Sequence, residues 1–381
     1  MRFGSPRIVV KEADGSGRGP GTLTAIIEDA KNVGISNYVN EPGEMYFTIP
    51  LSHPAASSIN PLQQHYTVYR YSAAQTWTGG AVAEQFRLVG RGLIDDYEIT
   101  RNEMVVYGTN YLGFLLTTIT GSNTSYTSAQ IGTIVTSQIT AARAESNSRL
   151  AWTSATVDVS NATKTATVLT SFEPRLNFIA SLANLQMADS SVRSILSFSN
   201  ANDQWVYEGD TGDDPGAGKL LLYFGGNVND YRFWTGRSDF ATRIYGIGIK
   251  REGAAVLYSQ QTYASEATYG RISRPSLHRD VINQTALDEM VKRDAREAGS
   301  VSASVAVQIS VDPTDLDPVQ VPQQSSGWLE NIGLFDRAEV VIRDPFKGVV
   351  VHDDYSIMGY EWTVAPNGKE DLYFELTPRR T

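Results

Sequence analysis

Residues Val349 to Pro378, VVVHDDYSIMGYEWTVAPNGKEDLYFELTP, read as three short strands closed by a turn at Asn367-Gly368. Asn-Gly is suited to the two positive-φ positions of a tight hairpin. Before the turn Tyr360, Trp362 and Val364 alternate in period two, and after it Leu372, Phe374 and Leu376 do the same, so each strand is expected to bury one face. The stretch also carries an echo. Asp353-Asp354-Tyr355-Ser356-Ile357 matches Asp95-Asp96-Tyr97-Glu98-Ile99, and in both places an apolar strand runs into the motif and another follows. That repetition raises the expectation of two related β-modules, one at each end of the chain.

Working outward, residues 1–21 contain GSGRGPG and show no periodicity, which predicts a flexible N-terminal arm with the fold beginning near Thr22. Between 22 and 112 the runs Met45–Ile49, Tyr66–Tyr71, Phe86–Ile94 and Met104–Tyr107 are separated by short connections, the spacing of a small barrel or sandwich. Pro50 and Pro54 end the strand at 45–49, because proline cannot donate to a ladder. The character changes after Leu112. Ser128 is a plausible N-cap for an amphipathic helix over 129–143, with Ile131, Ile134, Val135, Ile139 and Ala142 on one face. A second helix starts at Glu173-Pro174, and Thr156 to Val168 reads as a strand pair. Strands are expected at 195–198, 205–207 and 220–224, the last two joined by the Asp/Gly loop 209–218. Residues 113–170 and 171–240 therefore read as α+β domains, and 241–381 as a second β-barrel interrupted by a helix at 284–298 for which Asn283 is the cap. The fold class expected is mainly β with an α+β insertion.

Bulk composition narrows the function. A net charge of −10 and a pI near 5.0 oppose binding to a phosphate backbone. No run of about 18 apolar residues is present, and Met1-Arg2-Phe3 lacks a secretory signal core, so the expectation is a soluble chain made in a cytoplasm with no membrane-spanning segment. Zero cysteine removes disulfides, thiolate zinc sites and cysteine nucleophiles together.

Catalytic constellations are equally sparse. His53, His65, His278 and His352 form no HExxH or His-x-His pair. Within the doublets Asp95-Asp96 and Asp353-Asp354, neighbouring side chains on a strand point to opposite faces, so neither doublet presents two carboxylates to one site. Asp210, Asp213 and Asp214 lack the completing glutamate of a calcium loop, and Gly218-Lys219 is followed by Leu220 where a phosphate loop needs Ser or Thr. The sequons at Asn123, Asn161 and Asn283 imply nothing without a secretory route. Tyr231-Arg232-Phe233-Trp234 has the residue types that stack sugars and also those that fill cores and interfaces. The expectation is no enzyme, no cofactor and no metal, and catalytic residues are none.

The order of GEMYFTIPLSHPAA (43–56), YTVYRY (66–71) and FRLVGRGLIDDYEI (86–99) resembles the opening of the tail hub, or minor tail, proteins of long-tailed actinobacteriophages. Tyr245-Gly246-Ile247-Gly248, Ala267–Arg271, the helix around Ala286–Ala295, Gly359-Tyr360-Glu361-Trp362 and Leu376–Arg379 fall in the same order. Such hubs are similar to the baseplate hub of contractile phages. The resemblance implies two β-barrels with attached α+β domains, a homotrimer whose barrels make a pseudo-six-fold ring, and a place at the virion tail tip. It further implies contact with the tail tube, the distal tail ring, tip or fibre proteins and the tape measure protein, with DNA passing through an unsticky acidic channel. No catalytic residue is carried over, and the expectation is a bare structural core without the lytic or receptor-binding extension that many hubs bear. A carbohydrate-binding tail adhesin is the alternative, and a glycan hydrolase the third reading.

Overall fold

The computed structural model describes residues 6–13, 19–74, 83–145, 148–154, 157–160, 164–186, 195–199, 204–208, 220–234, 240–248, 256–278, 281, 283–299, 306–311, 334, 337–344, 346 and 348–378. Seven strands come first: β1 (Pro6–Ala13), β2 (Pro20–Ile27), β3 (Lys31–Tyr38), β4 (Glu44–Pro50), β5 (Gln64–Ala74), β6 (Ala83–Ile99) and β7 (Glu103–Asn110). The middle holds helix α1 (Gly113–Thr117), β8 (Ser122–Gln130), α2 (Ile131–Ala144), β9 (Val157–Ser160), β10 (Thr165–Ser171), α3 (Arg175–Gln186), β11 (Ile195–Ser199) and β12 (Gln204–Glu208). Then follow β13 (Leu220–Tyr223), β14 (Val228–Trp234), β15 (Arg243–Gly248), β16 (Tyr258–Thr262), α4 (Glu266–Tyr269), β17 (Ser273–His278), α5 (Gln284–Gly299), β18 (Ala306–Val311), β19 (Arg337–Asp344), β20 (Val349–Val364) and β21 (Glu370–Pro378).

The opening stretch forms two strands rather than three, because β20 runs unbroken for 16 residues before the turn. The turn itself spans 365–369: Ala365 N–H donates to the Lys369 carbonyl and Gly368 N–H to the Ala365 carbonyl. Only Gly368 takes a positive φ, 81°, while Asn367 contributes its Oδ1 as acceptor for Lys369 N–H. Trp362, Leu372, Phe374 and Leu376 are fully buried in one core, as their alternation requires.

Thirteen strands join one sheet, and it is built twice. In the first half the order is β3-β4-β7-β6-β5, in the second β14-β18-β21-β20-β19, all neighbours antiparallel. Each half therefore repeats the same five strands in the same chain order. Each also has one long strand carrying a β-bulge against its hairpin partner, with Asp95 the extra residue of β6 and Met358 that of β20. Aligned on the bulges, Ile94-Asp95-Asp96-Tyr97-Glu98-Ile99-Thr100 corresponds to Ile357-Met358-Gly359-Tyr360-Glu361-Trp362-Thr363. The Asp-Asp-Tyr-x-Ile echo falls on the equivalent strands but five residues out of register: Tyr355 is buried while Tyr97 is 37 % exposed. Among the described strands no backbone ladder closes either half on itself.

Three assignments change. The N-terminal segment expected as an arm over 1–21 contains β1, which lies between β2 and β5 and buries Ile8 and Val10, because its Ile-Val-Val run is long enough to fill a place in the sheet. The strands at 243–262, expected in the second barrel, instead form a three-stranded sheet β16-β15-β17 packed on α5, and the second half draws β13 and β14 from before them. Thr156–Val168 is no strand pair either: β10 pairs with β8, and β9 runs parallel to β12. Short apolar runs do not specify partners, and tertiary packing chose them.

The helices follow their apolar spacing. α2 buries Ile131, Ile134, Val135, Ile139 and Ala142. Its cap is Gln130, not Ser128, and the Ile131 N–H is met by the Lys164 carbonyl. Asn283 does cap α5, with Oδ1 accepting from Thr285 N–H. α1, α2, α3 and α5 share a second core with Trp205 and Tyr207, separate from that of the large sheet.

Candidate assembly surface

The two halves of the large sheet meet where the second part of β20 pairs with β3, from Gly359↔Tyr38 to Val364↔Val33. The first part of β20 pairs with β19 up to Ser356, so the bulge at Met358 is where the strand changes neighbour. Its carbonyl accepts from Val39 N–H. The core side of the joint is sealed by Tyr360 and Trp362. Trp362 Nε1–H donates to Glu370 Oε2 at 2.9 Å, and Arg70 Nε–H of β5 donates to the same oxygen at 2.7 Å. Both charged side chains are almost wholly buried, so the pair ties the first half to the second in a low dielectric. Asn37, Asn110 and the Tyr360 hydroxyl complete a polar chain across the seam.

The outer side of the joint is acidic and aromatic. Tyr46 lies over Gly34 and Tyr38 over Gly359, each ring occupying the space a Cβ would take. Glu44, Glu361 and Glu375 stand among them, and burial, helped by the neighbouring Glu44 charge, pushes the Glu361 carboxyl above its usual range. Burial and then Glu361 raise the Tyr46 and Tyr38 hydroxyls as well.

The residues singled out for chemistry do not converge. His53 caps a 3-10 turn (Pro54–Ser58), its Nδ1 accepting from Ala55 N–H, and its Nε2 faces Asp29 at 3.1 Å. His65 is buried among the rings of Tyr111, Phe114 and Trp152, with Nδ1 3.2 Å from the Tyr111 hydroxyl. His352 pairs with Glu339 on an exposed ladder. His278 does meet a serine and an aspartate, a grouping invisible in the sequence because Asp294 comes from α5. Ser276 Oγ and Asp294 Oδ2 both approach His278 Nε2, at 3.1 and 3.0 Å. A nucleophile relay needs them on opposite ring nitrogens, so this arrangement cannot pass a proton from serine through the ring. Burial opposes the Asp294 charge, but His278, Arg293 and Ser276 outweigh it and hold its pKa below the ordinary value. The trio fastens α5 to β17.

Asp96 and Asp353, inside β6 and β20, each accept from the next residue's N–H. Tyr231 is buried, its hydroxyl on Asp344, so that ring is not available for stacking on a sugar. Asp210, Asp213, Asp214, Gly218, Lys219 and Asn161 lie outside the described residues. Among the described residues no three His, Asp or Glu side chains come together as a metal cluster, and no helix is long and apolar enough to cross a membrane.

No family model matches the chain, and no curated protein does. Solved structures do. The tail protein from Neisseria meningitidis MC58 shares the fold at TM-score 0.62 and 10 % identity, over 98 % of this chain and 96 % of that one. The prophage MuSo2 43 kDa tail protein from Shewanella oneidensis aligns at TM-score 0.60 and 14 % identity, over 98 % of each chain. The fold is that of phage tail proteins. Prophage tail protein gp18 from Listeria monocytogenes EGD-e is similar at TM-score 0.52 and 12 % identity, covering 97 % and 94 %. At these identities the likeness is one of architecture, and it extends along the whole chain.

Proposed function

We propose that the chain is a structural virion protein, the hub at the distal end of a phage tail, acting as a homotrimer and not as an enzyme. The observation that carries this reading is the doubled five-strand order within one chain. Three copies of a two-module subunit offer six similar modules around a three-fold axis. Such a ring can meet six-fold tube and distal-ring proteins on one side and a three-fold tip or fibre on the other. Residues 6–110 with the strands at 220–234 and 306–378 form that ring, and the helical middle packs beside it. The similarity to phage tail proteins along the full chain supports the reading. The net charge of −10 suits a wall past which DNA slides without sticking. An actinobacterial long-tailed phage is the source the sequence resemblance favours, and the tape measure protein is an expected partner in the lumen.

Light scattering of the purified chain is the first test, with a mass near three times 41.7 kDa expected and six-lobed particles in class averages. A monomer that binds host-wall glycan would instead support the adhesin.

A further inference from the structure

The doubled fold leaves one joint made and its equivalent open. Within the chain, residues Gly359–Val364 of β20 lie against β3 on the side that β19 has vacated. The corresponding residues of β6 are Asp96–Ile99. There β5 has ended its ladder at Leu93, β7 covers the other side, and no described strand lies on the free edge. The counterpart of β3 is β14, which pairs with β18 on one side and on the other is the last of the described strands in the sheet.

Burial tells the same story. Tyr360 and Trp362, covered by the joint, are 9 % and 0 % exposed, whereas Tyr97 and Ile99, their equivalents, are 37 % and 54 % exposed. Two large apolar side chains that a joint buries in one half stand in water in the other. At both open edges a backbone N–H is held by the aspartate before it, Tyr97 by Asp96 and Tyr231 by Asp230. Such a carboxylate is the local acceptor an edge strand uses when no neighbour is present.

The geometry points to a second copy of this chain as the occupant: β14 of one subunit adds antiparallel to Asp96–Ile99 of the next. The internal register fixes the pairing. Gly34 and Arg232 hold equivalent places, since Tyr46 and Gln308 face Tyr107 and Glu375. Because Thr363 pairs with Gly34 and Trp362 with Ile35, Thr100 comes opposite Arg232 and Ile99 opposite Phe233. Tyr97 and Tyr231 then fall in the same alternate set of pairs, so their edge N–H groups both turn into the new ladder. Glu98 stands diagonal to Arg232, an opposite-charge neighbour. The contact uses different surfaces on the two copies, so it is heterologous, and repetition with a three-fold rotation closes it into a ring. The ring of three rests on the hub reading. The strand pairing rests on the duplication within one chain.

With no native cysteine, Thr100→Cys together with Arg232→Cys in the full chain forms a unique reporter pair, since directly paired residues lie within disulfide reach. Mild oxidation should give covalent dimers and a closed trimer on a non-reducing gel, and neither single variant should give the trimer. Ile99→Asp, an exposed change, should turn the trimer into a monomer with unaltered circular dichroism. A trimer by light scattering that neither cross-links nor responds to Ile99→Asp overturns this joint while leaving the trimeric hub standing. A monomer at every concentration, without cross-links, removes both.

Discussion

Arg70 and Glu370 are 300 residues apart in sequence and share one buried hydrogen bond with Trp362 beside it. Removing one partner strands the other charge, so Arg70→Met should cost about 3–5 kcal/mol in urea unfolding, and Glu370→Leu a similar amount. The double variant should lose much less than the sum, because no buried charge is stranded and the Trp362 N–H left without its acceptor costs about 1–3 kcal/mol. Additive losses would show that the pair does not act as one unit. On the outer side of the joint Glu361 has the opposite character. Its folded pKa is raised, so folding favours its protonated form, and the charged form costs stability once pH rises through the folded value. Glu361→Gln should therefore stabilise the chain slightly at pH 7, by about 0.5 kcal/mol, and the gain should vanish near pH 4 where the native carboxyl is protonated as well. Thermal melts at the two pH values measure the difference.

Among the elements, α5 on β15 shows how closely a helix is set on its sheet. A Cβ on Gly246 would come 1.9 Å from Val291 Cγ2, so Gly246→Ala must lift the helix or force the valine off its rotamer. Overpacking of this kind costs about 1–3 kcal/mol. Adding Val291→Ala should recover part of that loss, and a double variant as unstable as the sum of the singles would place the strain elsewhere. The same contact explains why the sequence misplaced these strands. Tyr245 to Ile249 alternates as any half-buried strand does, and nothing local distinguishes a sheet covered by α5 from the β-module farther on. The helices were more legible, since α2 and α5 carry apolar residues at three- and four-residue spacing over 14 and 16 residues. Their caps divided: Asn283 caps as its type suggests, whereas Ser128 is drawn into β8 and a distant carbonyl replaces it.

At the scale of the molecule one difference between the two halves is that β3 pairs with β20, whereas among the described strands β14 pairs with β18 alone. Amide exchange should reflect it. In the dissociated chain the amides of Val33–Tyr38 should be protected on both sides, while the alternate amides of Val228–Trp234 and Asp96–Ile99 that face away from β18 and β7 exchange readily, and assembly should slow both open sets together. Protection of β14 already in the monomer would contradict an open edge there. The repeated strand order also accounts for the low sequence likeness to the phage tail proteins that share this architecture. Many sequences with the right alternation fill such a sheet, and only bulges, glycines beneath tyrosines and the seam constrain particular residues. Alternation and helical spacing determined by themselves that this protein is mainly β, with helices where they stand. Tertiary structure alone decided which strands pair, that residues 6–13 belong to the sheet, that the true repeat is Ile-x-x-Tyr-Glu at the bulges, and that Arg70 meets Glu370. The physical reason is that side-chain period is written locally in the chain, whereas strand partners are selected by the burial of a shared core, to which distant segments contribute equally.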